Sequence, residues 1–122
     1  MSKIMIVDDA FIMRKTLENL FSQLGHEIIS QASNGYEAIE QYKESKPEIV
    51  TMDITMPAVN GINDGIEALE EIIKYDPNAK IIILTSHGEE KLVVDAILKG
   101  AKGYVLKPVD IHKLEDALEK LH

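Results

Sequence analysis

The chain has 122 residues, 45% hydrophobic and 28% charged, and its 13 Lys plus Arg against 21 Asp plus Glu leave a formal charge of −8. This is one domain's worth of sequence, residues 1–122, with apolar material for an ordinary core, and its composition excludes a disordered chain. The acidic excess disfavours direct binding to nucleic acid or to an anionic membrane, and the lack of Cys removes disulfides, thiolate nucleophiles and Cys-ligated metals.

The N-terminus, MSKIMIVDDA, has one Lys followed by two acids and is no signal peptide. Its KIMIVD segment at 3–8 is a short apolar, β-branched run that reads as a buried strand. Met13, Leu17, Leu20, Phe21 and Leu24 then fall at helical spacing, and Gly25 marks the stop. EIISQA at 27–32 is a weaker strand. Asn34-Gly35 turns the chain into a second helix with Ala38, Ile39 and Tyr42 inward. Pro47 closes that helix, and EIVTMD at 48–53 reads as the third strand. Ile66, Leu69, Ile72 and Ile73 mark a third helix that stops near Asp76-Pro77. KIIILT at 80–85 is the most apolar strand and is expected at the centre of the sheet. A helix over Glu89 to Lys99 follows, closed by Gly100, and GYVLK at 103–107 is the fifth strand. The last helix starts near Asp110 and puts Ile111, Leu114, Leu118 and Leu121 on one face. No apolar run approaches the about 20 residues that span a bilayer.

Five βα units in sequence imply a parallel sheet with helices on both faces, joined by right-handed crossovers. They are too few for an eight-stranded barrel, so an open, doubly wound α/β sheet is expected. Its ligand should bind at the carboxyl ends of the strands, where strand order reverses.

Those ends are chemically loaded. The first strand ends in Asp8-Asp9, the third in Asp53, the fourth in Thr85-Ser86 and the fifth in Lys107-Pro108. Alone, an Asp after a strand is usually a turn former or a helix cap. Together they deliver three carboxylates, two hydroxyls and an ammonium to one edge. Three converging carboxylates repel one another unless a cation balances them. Lys107 offsets one charge, and a hard divalent ion such as Mg2+, which takes a few carboxylates plus water or phosphate, would offset the rest. Mg2+ beside an Asp, a hydroxyl and a Lys suits phosphoryl transfer to the carboxylate.

VDD at 7–9, MDITMP at 52–57, ILTS at 83–86 and GYVLKP at 103–108 resemble the signature of two-component response-regulator receiver domains, in order and across essentially the whole chain. The likeness is strongest to the single-domain, chemotaxis CheY type, and the DDAFIMR stretch at 8–14 adds to it. The resemblance implies a flavodoxin-like three-layer sandwich with strand order 2-1-3-4-5. It implies that Asp53 accepts a phosphoryl group from a sensor histidine kinase. Asp9, Asp53 and the backbone carbonyl of Thr55 would hold Mg2+, with Asp8 acting through water. Thr85 and Lys107 would each bond a phosphoryl oxygen, and Tyr104 would turn inward as Thr85 shifts. Pro108 matches the family's Lys-Pro pair, often joined by a cis bond. The face carrying Val93, Ala101 and Tyr104 would meet a downstream protein, a flagellar motor component or another output, or a second copy after phosphorylation. Such a protein is a cytoplasmic regulator that catalyses only its own phosphorylation and dephosphorylation.

Some features depart from that pattern or extend it. Gly61-Ile62 is echoed by Gly65-Ile66, as if NDGI had been inserted after the third strand. The extra residues are either a tolerated surface insertion or a partner-selecting or water-shielding loop beside Asp53. Thr55 and His87 flank the route by which water would reach the phosphoryl group. His26, His112 and His122 read as surface residues. In the fourth helix a stripe of Val94, Ile97 and Leu98 would satisfy the core, leaving Leu92 and Val93 surplus. Two other readings compete with the switch. One is a pseudo-receiver that binds partners without phosphorylation, which loss of Asp53, Thr85 or Lys107 would have favoured. The other is a Mg-dependent aspartyl-nucleophile phosphatase, suggested by DIT at 53–55, although its nucleophile should end the first strand.

Overall fold

The computed structural model describes residues 1–121, and His122 lies outside them. The elements run β1 (Lys3–Val7), α1 (Phe11–Gln23), β2 (Glu27–Ala32), α2 (Gly35–Ser45), β3 (Ile49–Asp53), α3 (Gly65–Tyr75), β4 (Ile81–Thr85), α4 (Glu90–Leu98), β5 (Gly103–Leu106) and α5 (Ile111–Glu119). The strands form one parallel sheet in the order β2-β1-β3-β4-β5. The middle strand is therefore β3, not the more apolar KIIILT run. β4 is interior, between β3 and β5, and every residue of both β3 and β4 is buried. Strands covered on both faces need continuous apolar sequence wherever they lie inside the sheet, so hydrophobicity separates interior from edge and does not pick the centre.

Alternate residues feed two cores, as the two-residue strand period requires. Met5, Val7, Val50, Met52, Ile81 and Ile83 face the layer of α2, α3 and α4. Ile4, Ile6, Ile49, Ile82 and Leu84 face α1 and α5, where Leu17, Phe21, Leu114 and Leu118 meet them. Three helices carry side-chain caps. Asn34 accepts from the Glu37 N–H, Asp64 from the Glu67 N–H and Asp110 from the Lys113 N–H, each satisfying an orphan donor of a first turn. α4 has no such cap among the described residues, and the side chain of Glu89, which precedes it, is engaged elsewhere.

The orientation of α4 differs from expectation. Ala96 is buried and Val93 packs against the core, whereas Val94 is 59% exposed, Ile97 42% and Leu98 81%. The inward stripe is thus Val93 and Ala96, one turn apart. Any stripe of this apolar helix could have faced inward. The small Ala96 lets the backbone lie close to the sheet, and the larger residues remain outside.

The chain between β3 and α3 forms a miniature hairpin. Val59 and Ile62 exchange both backbone hydrogen bonds, at 3.1 and 3.0 Å, around Asn60-Gly61. Both turn residues have positive φ, 48° and 84°, which is the signature of the Asn-Gly type I′ turn. Ile62 packs against the core, so the supposed insertion is folded and anchored. Gly65, which starts α3, is needed for another reason. Its N–H donates to the Ile54 carbonyl at 2.7 Å, and a Cβ there would collide with the backbone carbonyl of Asp53. Gly65→Ala is expected to cost about 2 kcal/mol or more, because backbone must move. Gly61→Ala, which meets no neighbour but has positive φ, should cost about 1 kcal/mol. Urea denaturation of both variants tests that ranking.

Candidate functional site

Strand order reverses between β1 and β3, so their carboxyl ends border the crevice where a ligand of such a sheet binds. Asp8 and Asp9 follow β1, Asp53 is the last residue of β3, Thr85 the last of β4, and Lys107 follows β5. Four of the six predicted edge groups lie in or near the interior, and Ser86 is exposed. Asp8 is 1% exposed, Asp53 7% and Thr85 3%, Lys107 is half-buried and Asp9 is exposed.

Local hydrogen bonds fix these side chains. Asp8 accepts the Ala10 N–H on Oδ1 at 2.9 Å, and its backbone carbonyl accepts from the Arg14 guanidinium at 2.6 Å. The Lys107 N–H donates to the Thr85 carbonyl at 2.7 Å, and its peptide bond to Pro108 is cis. From there its ammonium lies 3.5 Å from Asp8 Oδ2 and 3.4 Å from Asp53 Oδ1. Carboxylate oxygens of Asp8, Asp9 and Asp53 all lie within 4.8 Å of one another.

Three carboxylates therefore cluster with one ammonium, which contacts Asp8 and Asp53, among the described residues. Burial, together with the charge of Asp8, pushes the Asp53 carboxyl from an ordinary 3.8 to about 6, despite the opposing pull of Lys107. Burial would lower Lys107, but the Asp53 and Asp8 carboxylates outweigh it and hold the ammonium above its ordinary value. A cluster of hard oxygen donors with unbalanced negative charge fits a divalent cation.

The hydroxyl side of the site holds a residue that the sequence reading did not single out. Thr85 Oγ1 donates to Glu89 Oε1 at 3.0 Å, and the Ser86 N–H donates to the same oxygen at 2.6 Å. Thr55, predicted to offer its carbonyl, donates its hydroxyl to Glu89 Oε2 at 2.9 Å. Burial opposes the charge on Glu89, yet these donors and the Lys107 charge keep its carboxyl below the ordinary range. The signal was present as Ser86-x-x-Glu89, the spacing of a capping box. Only its return half forms, from Glu89 to the Ser86 N–H. Gly88 has φ of 92°, so the helix begins one residue past Glu89.

On the predicted partner face, Ala101 is 6% exposed and belongs to the core, and Val93 packs inward. Neither is presented. Tyr104 is 57% exposed. It shares a cleft of about 550 Å3 between α4 and β5 with Thr85, His87, Val94, Ile97 and Leu98. His87 and His112 are exposed, and half-buried His26 accepts the Ser2 N–H on Nδ1. No helix among the described residues is long and apolar enough to cross a membrane.

The parallel 2-1-3-4-5 sheet and its Asp, Thr and Lys edge define a class, and the chain belongs to it. It is a member of the response regulator receiver domain family, whose profile matches residues 4–119. That places it among phosphorylation-activated two-component signalling switches, which are regulators rather than classical enzymes. Among individual proteins, it is 47% identical over 119 residues to the chemotaxis protein CheY of Thermotoga maritima, covering 98% of this chain and 96% of that protein. It is 46% identical over 120 residues to the CheY of Listeria monocytogenes, covering 98% of each. Among solved structures it resembles a CheX–CheY–BeF3–Mg2+ complex from Borrelia burgdorferi, with a TM-score of 0.90 and 38% identity over 98% of this chain and 87% of that one.

The electrostatics predict a pH signature. The folded-state value for Asp53, about 6, lies above its ordinary 3.8, so the folded protein binds the extra proton. This group therefore costs the metal-free protein stability progressively as pH rises from about 4 to about 6. Asp53→Asn should stabilise the metal-free protein by about 2 kcal/mol at neutral pH and change little at pH near 4. Urea melts at the two pH values check this.

Proposed function

We propose that the chain, residues 1–122, works as one receiver unit in which Asp53 is phosphorylated by a sensor histidine kinase and the α4–β5 face reports that state to an output protein. The observation that carries this reading is the position of Asp53. It ends the middle strand, is nearly buried, shares a cation-fitting cluster with Asp8 and Asp9, and lies 3.4 Å from the Lys107 ammonium.

In the reaction an Asp53 carboxylate oxygen attacks the phosphorus of a phosphohistidine. A P–O bond forms, the P–N bond breaks, and its electron pair goes to the ring nitrogen, so that a ring protonated on its other nitrogen leaves as neutral imidazole. Asp53 must be ionised to attack, and with a value of about 6 it is largely ionised at neutral pH. Asp8, Asp9, Asp53 and the Thr55 carbonyl would hold Mg2+, which supplies positive charge to the carboxylates and to the transferring oxygens. Lys107, already beside Asp53 and Asp8, is placed to balance a phosphoryl oxygen. Thr85 lies on the neighbouring strand, one residue past the Leu84 that pairs with Asp53. Its hydroxyl is the near donor for another oxygen. Its move toward that oxygen would vacate space in the cleft that Tyr104 also lines.

The exposed Val94, Ile97, Leu98 and Tyr104 supply an apolar docking face, in place of Val93 and Ala101. The names of the CheY relatives support a chemotaxis role; the flagellar motor as output, the cytoplasm as location and a monomer or phosphorylation-dependent dimer as the working form are part of the same proposal. The Borrelia complex, which holds BeF3 and Mg2+, supports Mg2+ as the cation.

Incubation with acetyl phosphate and Mg2+, followed by intact mass, should add one phosphoryl group. Asp53→Asn, or omission of Mg2+, should abolish the addition. Labelling that persists in Asp53→Asn would assign the acceptor elsewhere.

A further inference from the structure

Glu89 is the least expected side chain at this site. A fourth carboxylate near Lys107 adds negative charge where three already repel. It is held there by specific bonds. Its two oxygens take the hydroxyls of Thr85 and Thr55 and the N–H of Ser86. Thr55 comes from the loop after β3, and Thr85 and Ser86 from the end of β4, so one carboxylate spans these two lips, on the β4 side of the crevice. An anionic group growing out from Asp53 toward β4 meets the same lip, because Asp53 pairs with Leu84, the residue before Thr85.

We propose that Glu89 is a built-in stand-in for the phosphoryl group, a positioning residue whose carboxylate holds the Thr85 hydroxyl and Ser86 N–H until phosphorylation displaces it. The inference rests on the reading of Asp53 as phosphoacceptor and Thr85 as the responding hydroxyl, and deepens it. Two anions cannot share one hydroxyl hydrogen, so the phosphoryl oxygen and Glu89 exclude each other at Thr85. The dianionic phosphoryl group, tethered to Asp53, wins that competition and expels the carboxylate.

The release acts directly on α4. Glu89 is the residue before the helix, its carbonyl accepts the Val93 N–H at 3.0 Å, and Gly88 on its other side turns through a positive φ of 92°. α4 is held lightly: Ala96 is buried and Val93 half-buried, but Leu92, Val94, Ile97 and Leu98 are exposed. When Glu89 leaves the crevice, the first turn of this helix loses its tether to the ends of β3 and β4. The exposed apolar face on α4 can then rearrange beside Tyr104. The device links an event at Asp53 to the docking face without passing through the sheet.

A simpler role for Glu89 is to complete the Ser86 turn and start α4. The two roles differ in sign. A latch opposes the phosphoryl group, so breaking it favours the phosphorylated form. A purely structural residue does no such thing.

The full chain is titrated with beryllofluoride in Mg2+, and binding is followed by NMR of the Ser86 amide and the Thr85 methyl. Glu89→Ala and Glu89→Asp are each expected to bind about ten-fold more tightly than wild type, the scale of a charge-assisted hydrogen bond that no longer has to be broken. Asp keeps the charge but is one methylene too short to span both lips. Glu89→Gln keeps the reach with a weaker acceptor and should fall between. Before any beryllofluoride is added, the Ser86 amide and Thr85 methyl signals of the Ala and Asp variants should already have left their wild-type positions, because both donors lose the Glu89 acceptor. Equal or weaker binding by Ala and Asp overturns the latch. Tighter binding by Ala and Gln with Asp at the wild-type level also overturns it, because that pattern reports charge repulsion alone. Absence of saturable binding by wild type would overturn the reading of Asp53 and the latch together.

Discussion

Unbalanced negative charge at the carboxyl ends of β1 and β3 organises this protein's chemistry. The fold makes the imbalance unavoidable. β1 and β3 are neighbours, so the acids that terminate them cannot move apart. Both strands are sealed between helical layers, so water cannot fully screen Asp8 and Asp53. One ammonium, reaching across β4 from the end of β5, relieves part of the repulsion and leaves Asp53 reluctant to ionise. That residue of strain is what makes the cluster fit a divalent cation.

The same constraint explains how the site talks to the surface. Lys107 reaches the acids from β5, whose outward residue is Tyr104. Thr85 ends β4, donates its hydroxyl to Glu89 and continues into the turn that starts α4. Glu89 sits where both routes meet, bonded to β4 and to the loop after β3. Under the proposed reading, charge added at Asp53 would rearrange bonds held by residues that also shape the α4–β5 cleft.

Much of this was legible in the sequence for a simple reason. Interior parallel strands are continuous apolar runs, so KIMIV, IVTMD and IIILT announce their own ends, and the polar residues just beyond them fall at one edge. The rest depended on three-dimensional choices that periodicity leaves open. Hydrophobicity could not say whether β3 or β4 is central, since both are wholly buried. In α4 the apolar residues exceed one stripe, and close approach through Ala96 decided the face. Ala101, which the family resemblance puts on the partner face, instead closes the end of α4 against the core, its N–H donating to the Ala96 carbonyl. The Asn60-Gly61 pair carried the hairpin signal that would have identified the supposed insertion as a folded turn. Glu89 was hidden because an acid near a helix start ordinarily serves the helix. Only the geometry shows its carboxylate turned back onto Thr85, Ser86 and Thr55.

The most direct test of the charge imbalance is the titration of Asp53 itself, read from its side-chain carboxyl carbon by NMR in selectively labelled protein with and without Mg2+. A midpoint near 6 is expected in metal-free protein. Saturating Mg2+ should return it to the ordinary carboxylate range, about 4 or below, as the cation relieves the repulsion. An ordinary midpoint that Mg2+ leaves unmoved would contradict the account.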